Sequence, residues 1–384
     1  MLQRPKFISI HVFRFILRQQ TYHIHQFRPK SSRPYYNRHD DEEEEDERIR
    51  KRKDSPEGHL HLFKSKGQHL LTNQRVLDTI VRKSDIKPTD TVLEIGPGTG
   101  NLTVKLLEVA RKVVAVEIDK RMVEVLHNRV KASAFEDRLT VLCKDALKTE
   151  FPHFDLVVAN IPYGISSPLV AKLVFGVNPY RSATLLLQKE FARRLLANPG
   201  DSDFNRLAVN VKLVAEVEFV RDVSKRDFSP CPKVDSSVII IRPKAEIPDV
   251  DFGEWCSFTK ICFSKKNKTL GATFKQKKKV MELFKLFERT GSKEDSAVRL
   301  HDRYSSHDGN VEVEMRTDVL ETGASLFKDK LVGILKSGGF EDKRPSKLSN
   351  EDLLHLLSLF NQAGIYFHDR AKPGDANITA CFIE

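Results

Sequence analysis

Three absences narrow the kind of protein that this sequence encodes. Its five cysteines include no CxxC pair and no His/Cys spacing of metal-ligand type, so neither a zinc site nor a disulfide framework is predicted, and no metal is expected. Its longest apolar runs, at 156–159 and 184–187, are far shorter than the roughly 20 residues that a membrane-spanning helix needs. A multi-span membrane protein is therefore excluded, and no membrane partner is expected.

The chain itself is enzyme-sized and basic. Its 384 residues leave room for two domains plus tails, and 64 Lys and Arg against 53 Asp and Glu give a formal charge of +11. A hydrophobic content of 40% with 30% charged residues is typical of a soluble globular protein. The excess of positive charge favours a nucleic-acid partner to a modest degree.

The first 57 residues differ in composition from the rest. Residues 1–39 contain no acidic residue and interleave arginines with apolar side chains, which is typical of an organellar transit peptide. Residues 40–57 begin with eight consecutive acids and continue with a basic cluster, so we expect a disordered charged linker there. Two alternatives stay open: the leader is a basic RNA-binding arm, or the basic cluster at 48–53 is a nuclear signal.

From residue 58 to residue 243 the pattern alternates between strands and helices. This alternation predicts right-handed β-α-β crossovers and a parallel sheet that is covered on both faces. The five strands predicted in this way are 91–95, 112–117, 139–143, 155–159 and 183–188. Two further strands, near 216–222 and 236–242, have no helix between them and are expected to form an antiparallel hairpin at one edge. The prediction is an α/β fold with a Rossmann-like methyltransferase sheet of seven strands, the last antiparallel.

After Pro243 only helical patterns follow. They predict a smaller C-terminal helical domain over 244–384, with a polar insertion near 291–322. The expected helices are 252–263, 270–289, 325–337 and 350–363.

A glycine-rich turn joins the first predicted strand to its helix. Glycines at 96, 98 and 100 allow a tight turn and a close approach of a ligand to the backbone. Glu117 and Asp145 end the next two strands, so both acids are expected above this turn at the carboxyl edge of the sheet. A carboxylate at Glu117 can accept hydrogen bonds from ribose hydroxyls, and one at Asp145 can accept a hydrogen bond from an adenine amino group. Alone, the turn could serve packing and each acid could be a surface residue; together they predict a nucleoside pocket.

The segment Asn160-Ile161-Pro162-Tyr163 at the tip of the fourth strand suggests the reaction. The amino nitrogen of adenine is a poor nucleophile because its lone pair is delocalised into the ring. Two hydrogen-bond acceptors that grip its protons orient the lone pair toward a methyl donor. The Asn160 side-chain oxygen and a backbone carbonyl beside Pro162 can be these acceptors, and Tyr163 can stack on the base.

These motifs resemble the KsgA/Dim-type ribosomal RNA adenine dimethyltransferases. The resemblance covers about 58–290 and 325–370, and it includes Gly67–Leu71, Thr89–Gly100, Asn160–Pro168, Gln188–Ala192, Ala197–Gly200 and Phe228–Ser237. It implies that Phe228 and Tyr163 sandwich the target adenine, so the catalytic candidates are Asn160, Ile161, Pro162, Tyr163 and Phe228. It implies S-adenosylmethionine as cofactor, with contacts from Gln68, His69, Leu71, Gly96, Gly98, Glu117, Ile118, Asp145, Ala146 and Asn160.

The C-terminal part is similar to the eukaryotic Dim branch, at Ile261–Leu270 and Gly339–Pro345. The chain departs from the branch at Ile161, where leucine is commoner, and in its acid-free leader. The resemblance implies dimethylation of the N6 of two adjacent adenosines in a small-subunit rRNA loop. It further implies a monomer acting within a pre-ribosomal particle. Together with the leader, the resemblance favours a location in the mitochondrial matrix over a plastid or the nucleolus.

Functions of other classes fit the sequence less well. A non-catalytic factor for mitochondrial ribosome assembly or transcription would be favoured by loss of Asn160, Tyr163 or Glu117, and all three are present. A small-molecule enzyme would not need the basic tail, and DNA adenine enzymes typically carry proline where Ile161 stands. RNA docking is expected through Lys265, Lys266, Lys268 and Lys275–Lys279.

Overall fold

Short runs of Val, Ile and Leu form the strands of one seven-stranded sheet and of a small two-stranded one. In chain order the strands are β1 (Leu70–Leu71), β2 (Thr91–Ile95), β3 (Lys112–Glu117), β4 (Leu139–Cys143), β5 (Leu156–Asn160), β6 (Ala183–Gln188), β7 (Ala215–Val223), β8 (Phe228–Ser229) and β9 (Ser236–Pro243). The large sheet has the order β4-β3-β2-β5-β6-β9-β7. β2 lies in its interior, and all of its residues are buried.

This computed structural model describes residue 62, residues 68–291 and residues 309–368. The predicted leader (1–39) and charged linker (40–57) lie outside these ranges, as do residues 292–308 of the predicted insertion. Within the described ranges, no helix is both long and apolar enough to cross a bilayer.

The predicted fold class is confirmed. β2 to β6 pair in parallel, so their carboxyl ends lie at one edge of the sheet. β9 is antiparallel to both of its neighbours, β6 and β7, with Leu185 opposite Ile239. The last strand along the chain is therefore the reversed one, and it forms the expected hairpin with β7.

Helices cover the sheet and continue beyond it. In chain order they are α1 (Gln74–Lys83), α2 (Asn101–Val109), α3 (Lys120–Ala132), α4 (Ser166–Phe175), α5 (Lys189–Leu196), α6 (Arg206–Val214), α7 (Phe252–Cys262), α8 (Leu270–Phe274), α9 (Lys277–Gly291), α10 (Gly309–Ser337) and α11 (Asn350–Gln362). The last strand ends at Pro243, and the regular elements described after it are helical.

Two of the predicted helix bounds were wrong. The helix predicted to begin at residue 325 begins at Gly309; the stretch before 325 lacks an apolar stripe, but its sequence includes three glutamates, which are good helix formers. The single helix predicted over 270–289 is two, since α8 ends at Phe274 and α9 begins at Lys277.

The hydrophobic core joins the helical part to one face of the sheet. One continuous cluster of buried residues runs from Leu185 and Ile239 in the sheet to Trp255, Phe274 and Phe360 in the helices. A second cluster packs α1 and α2 against the other face. The C-terminal helices α7 and α11 pack against α6, which covers this face of the sheet.

A feature that the sequence did not predict is the pairing of β1 with β8. Leu70 lies opposite Ser229 and Leu71 opposite Phe228. The Nδ1 atom of His69, just before β1, donates to the Pro230 carbonyl at 2.8 Å. This pairing brings two distant segments of the chain together above the carboxyl edge of the large sheet.

Candidate active site

The glycine loop after β2 forms one wall of a cavity at the carboxyl edge of the sheet. Gly96, Gly98 and Gly100 have φ angles of +69°, +56° and +86°, which residues with a Cβ rarely adopt. A Cβ on Gly98 would lie only 2.7 Å from the Cδ2 atom of Leu70. The loop therefore lines the cavity in a conformation that suits glycine, and the Leu70 side chain packs against Gly98.

Glu117, the last residue of β3, is held by backbone amides. Its Oε2 atom accepts from the Gly98 N–H at 3.2 Å, and its Oε1 atom accepts from the Ile118 and Asp119 N–H groups at 2.9 and 3.0 Å. Burial raises the pKa of Glu117, although these three bonds act to lower it. The glutamate is thus fixed in orientation beside the glycine loop.

Asp145 follows β4 on the same side of the cavity. Its Oδ1 atom accepts from the Leu147 N–H at 2.9 Å, so the carboxylate is oriented by the turn that it begins. Ala146, the next residue, is buried and also lines the cavity. The three strand-end features that the sequence placed together do lie together.

Glu94 faces this cavity and was missed by the sequence analysis. It is 1% exposed, and no described group is hydrogen-bonded to its Oε2 atom. Burial raises the pKa of Glu94 to about 8. The sequence does contain a signal for a functional role of Glu94, because it is an acid within an apolar strand, two residues before Gly96.

Asn160 is oriented by one hydrogen bond, in which its Nδ2 atom donates to the His69 carbonyl at 3.2 Å. Since the amide nitrogen faces that carbonyl, Oδ1 lies on the opposite side of the amide and remains an acceptor. The Pro162 carbonyl already accepts from the Ile165 N–H at 3.1 Å and the Ser166 hydroxyl at 3.3 Å.

The Ile161 carbonyl precedes Pro162, and no described group donates a hydrogen bond to it. It therefore remains an acceptor, unlike the carbonyl of Pro162 itself. The Ile161 side chain is only 1% exposed, so this residue contributes to the cavity through its backbone.

Tyr163 lies beside Asn160 in a single turn of 3₁₀ helix. Its hydroxyl is hydrogen-bonded to the Ser236 hydroxyl at 2.7 Å, and burial raises the pKa of Tyr163. The His69 ring is stacked near it, with 6.3 Å between ring centroids and 26° between planes. His69 is therefore an aromatic neighbour of Tyr163 in the cavity wall, which Phe228 also lines.

Phe228 lines the cavity but is only 5% exposed, because β8 packs it into the core beside Leu71.

Every predicted site residue lies in the wall of this one cavity, whose volume is about 730 Å³. The residues are Gln68, His69, Leu71, Gly96, Gly98, Glu117, Ile118, Asp145, Ala146, Asn160, Ile161, Pro162, Tyr163 and Phe228. Lining residues that were not predicted include Glu94, Pro97, Asp119, Met122 and Lys144. A cavity of this size is ample for a nucleoside cofactor.

Comparison with known proteins identifies the family. Residues 61–318, about two thirds of the chain, match the family described as ribosomal RNA adenine dimethylase. The chain belongs to the ribosomal RNA adenine dimethylase family. The sequence-based prediction of a KsgA/Dim-type protein is thereby confirmed.

Individual relatives agree with this family. One is a mitochondrial ribosomal RNA small subunit methyltransferase of Arabidopsis thaliana, 68% identical over 81% of this chain and 82% of the relative. A second, a ribosomal RNA small subunit methyltransferase of the same plant, is 46% identical over 81% of this chain and 94% of the relative. A dimethyladenosine transferase from Plasmodium falciparum superposes with a TM-score of 0.66, at 39% identity, over 78% of this chain and all of that one. These relatives confirm the predicted kinship with eukaryotic and organellar members.

Two of the lysines that are expected to dock RNA also make contacts within the protein. The Nζ atom of Lys266 donates to the carbonyls of Ser202 and Phe204 at 2.8 and 3.0 Å. Lys275 forms an ion pair with Glu341 at 2.7 Å. Both lysines thus hold loops of the protein together, which a run of basic residues in the sequence did not reveal.

Proposed function

We propose that this protein transfers methyl groups from S-adenosylmethionine to the N6 atoms of two adjacent adenosines in a small-subunit rRNA loop. The product is N6,N6-dimethyladenosine. The observation that carries the proposal is the pair of acceptors, Asn160 Oδ1 and the Ile161 carbonyl, in the wall of a cavity that is also lined by Glu94, Glu117 and Asp145. Family membership and the names of the relatives support the same reaction.

The cavity has the chemistry that S-adenosylmethionine requires. The ammonium group of this cofactor is a hydrogen-bond donor, and Glu94, whose pKa burial raises to about 8, offers an oxygen with no described partner that can accept from it. The glycine loop lines the cavity, and its positive φ angles suit glycine. Glu117 would hold the ribose hydroxyls, and Asp145 the adenine amino group. When bound, the cofactor supplies an electrophilic methyl group.

The target adenine is oriented by residues of this chain. Asn160 Oδ1 and the Ile161 carbonyl would accept the two protons of its amino group, which directs the nitrogen lone pair at the methyl group. Tyr163, which lies next to the His69 ring, would stack on the adenine base once the base is splayed out of the RNA. Phe228, which lines the same cavity, would be the second stacking residue.

The substrate we propose is rRNA within an assembling small subunit, bound by a monomer. Lys265, Lys268 and Lys278 are exposed on the helical part, and they suit phosphate groups. The region 244–384 would be the RNA-binding domain, beside a methyltransferase domain at 58–243. The net charge of +11 supports this partner.

We place the protein in the mitochondrial matrix, with 1–39 as its transit peptide and 40–57 as a charged linker. The acid-free leader supports this location, as does the greater identity to the mitochondrial Arabidopsis relative than to the other one. A fusion of residues 1–57 to a fluorescent protein should enter mitochondria. Nucleolar signal from the intact protein would instead favour the basic cluster at 48–53 as the address.

The activity is tested by incubating the purified protein with S-adenosylmethionine and small-subunit particles, followed by mass spectrometry of the rRNA nucleosides. The proposal expects mono- and then dimethyladenosine. If the protein methylated adenine in no rRNA, the result would contradict the proposal and support a non-catalytic role in ribosome assembly.

A further inference from the structure

A lysine in the last turn of α4 is bonded to the turn that begins with Asp145. The Nζ atom of Lys172 donates to the carbonyls of Ala146 at 2.8 Å, Leu147 at 3.3 Å and Thr149. The ammonium also lies 4.2 Å from the centroid of the Phe151 ring. Its contacts therefore lie within the few residues that follow β4.

These contacts match the chemistry of lysine closely. An ammonium group has three donors, and each of the three carbonyls takes one. Burial lowers the pKa of Lys172 to about 8, while the carboxylates of Asp145 and Glu150 act to raise it. The side chain is therefore charged at neutral pH and has its full set of donors.

The turn held by Lys172 also orients the carboxylate of Asp145. The backbone N–H groups of Lys148 and Thr149 donate to the Asp145 carbonyl at 3.1 and 2.9 Å, and the Leu147 N–H donates to Asp145 Oδ1. The amides of the turn thus point toward Asp145, and three of its carbonyls point toward Lys172. Release of those carbonyls would free the turn, and with it the carboxylate.

We propose that Lys172 is a positioning residue that holds Asp145 and Ala146 against the adenine end of the cofactor and so sets the preference for an adenine base there. The inference rests on the proposed function, because it assumes that this end of the cavity receives the cofactor's base. α4 follows directly on the Asn160–Tyr163 segment, so one helix connects the target site to the cofactor site.

The test compares two ligands that differ at one group of the base. S-adenosylhomocysteine has an amino group that can donate to Asp145, and S-inosylhomocysteine has an oxygen at that place. Isothermal titration calorimetry of the full chain should show that the wild type prefers the adenine ligand by about tenfold, as expected for one hydrogen bond. In Lys172→Met the affinity for the adenine ligand should fall, and the preference should shrink toward unity.

Lys212 provides a matched control. It is also a half-buried helix lysine, and its Nζ atom donates to the carbonyls of Leu196 and Ala197 and to Asn198 Oδ1, away from the cavity. Lys212→Met should lose thermal stability but keep the wild-type preference. An equal loss of preference in Lys212→Met would overturn the specific role of Lys172.

The remaining outcomes are also decisive. A wild-type preference in Lys172→Met would overturn the inference while leaving the proposed function intact. If Lys172→Met does not fold, Lys172→Gln, which is neutral and shorter, takes its place with the same expectation and the same contrary result. Failure of the wild type to bind S-adenosylhomocysteine would overturn the proposed function, and the inference with it.

Discussion

Replacement of Asn160 by alanine removes one of two acceptors that we propose for the amino group of the target adenine. The residue is held in place by a single bond, from its Nδ2 atom to the His69 carbonyl at 3.2 Å. Its oxygen is therefore preorganised at the position where positive charge develops on the nitrogen during transfer. Loss of one such preorganised group raises a barrier by about 2.7–4 kcal/mol, or a rate factor of roughly 10²–10³.

The assay is a single-turnover methylation of small-subunit particles, with mono- and dimethyladenosine measured by mass spectrometry. Both methyl transfers should slow in Asn160→Ala, because the acceptor serves each of them. The affinity for S-adenosylhomocysteine should change less, since the main contact of Asn160 is with the base. A rate within threefold of the wild type, or a loss confined to cofactor binding, would refute the reasoning.

Asn350 supplies a control for the loss of an amide. Its Nδ2 atom donates to the Val209 carbonyl at 3.1 Å, so it makes the same kind of bond as Asn160 but in the helical part. Asn350→Ala should cost a similar amount of stability and leave the methylation rate unchanged. Equal slowing of both variants would assign the effect of Asn160→Ala to folding.

Three further predictions concern the same cavity. Glu117→Ala should weaken cofactor binding by about 1–3 kcal/mol, because the ribose hydroxyls lose their acceptor and the Gly98 amide is released. Calorimetry checks this prediction, and an unchanged affinity would show that the pocket is misassigned. Burial raises the pKa of Glu94 from 4.5 to about 8. Between these two pH values the native state keeps a proton that the unfolded state releases, so the free energy of unfolding falls as the pH rises from about 4.5 to about 8. Relative to the wild type, Glu94→Gln should gain about 1.4 kcal/mol of unfolding free energy per pH unit between pH 5 and 8, and a pH-independent difference would contradict this. Tyr163→Ala should cost about 1–3 kcal/mol of RNA transition-state binding through lost stacking, whereas Tyr163→Phe should keep most of it; equal kcat/KM losses in both variants would argue against stacking.

The parts of the fold that follow from local patterns could be predicted from the sequence. The strands around the glycine loop are short Val- and Ile-rich runs separated by helices, and the acids at 117 and 145 sit at the ends of such runs. Parallel strands bring these ends to one edge, so the sequence positions translate directly into a cavity.

Features that depend on distant contacts could not be read in this way. β1 and β8 have two residues each and are separated by more than 150 positions, so neither shows a periodic pattern. Their pairing places His69 near Tyr163 and buries most of Phe228, and neither contact follows from a local pattern. Lys172 and Lys266 have the sequence signature of surface lysines, and only the carbonyls around them reveal their structural role.

The measurement that bears most directly on the central claim is the nucleoside content of small-subunit rRNA from mitochondria of cells lacking this protein. The account predicts that N6,N6-dimethyladenosine is lost from the mitochondrial rRNA and kept in the cytosolic rRNA. Re-expression of the wild type should restore it, and re-expression of Asn160→Ala should not. Unchanged dimethyladenosine in the mitochondrial rRNA of cells without the protein, or full restoration by Asn160→Ala, would contradict the account.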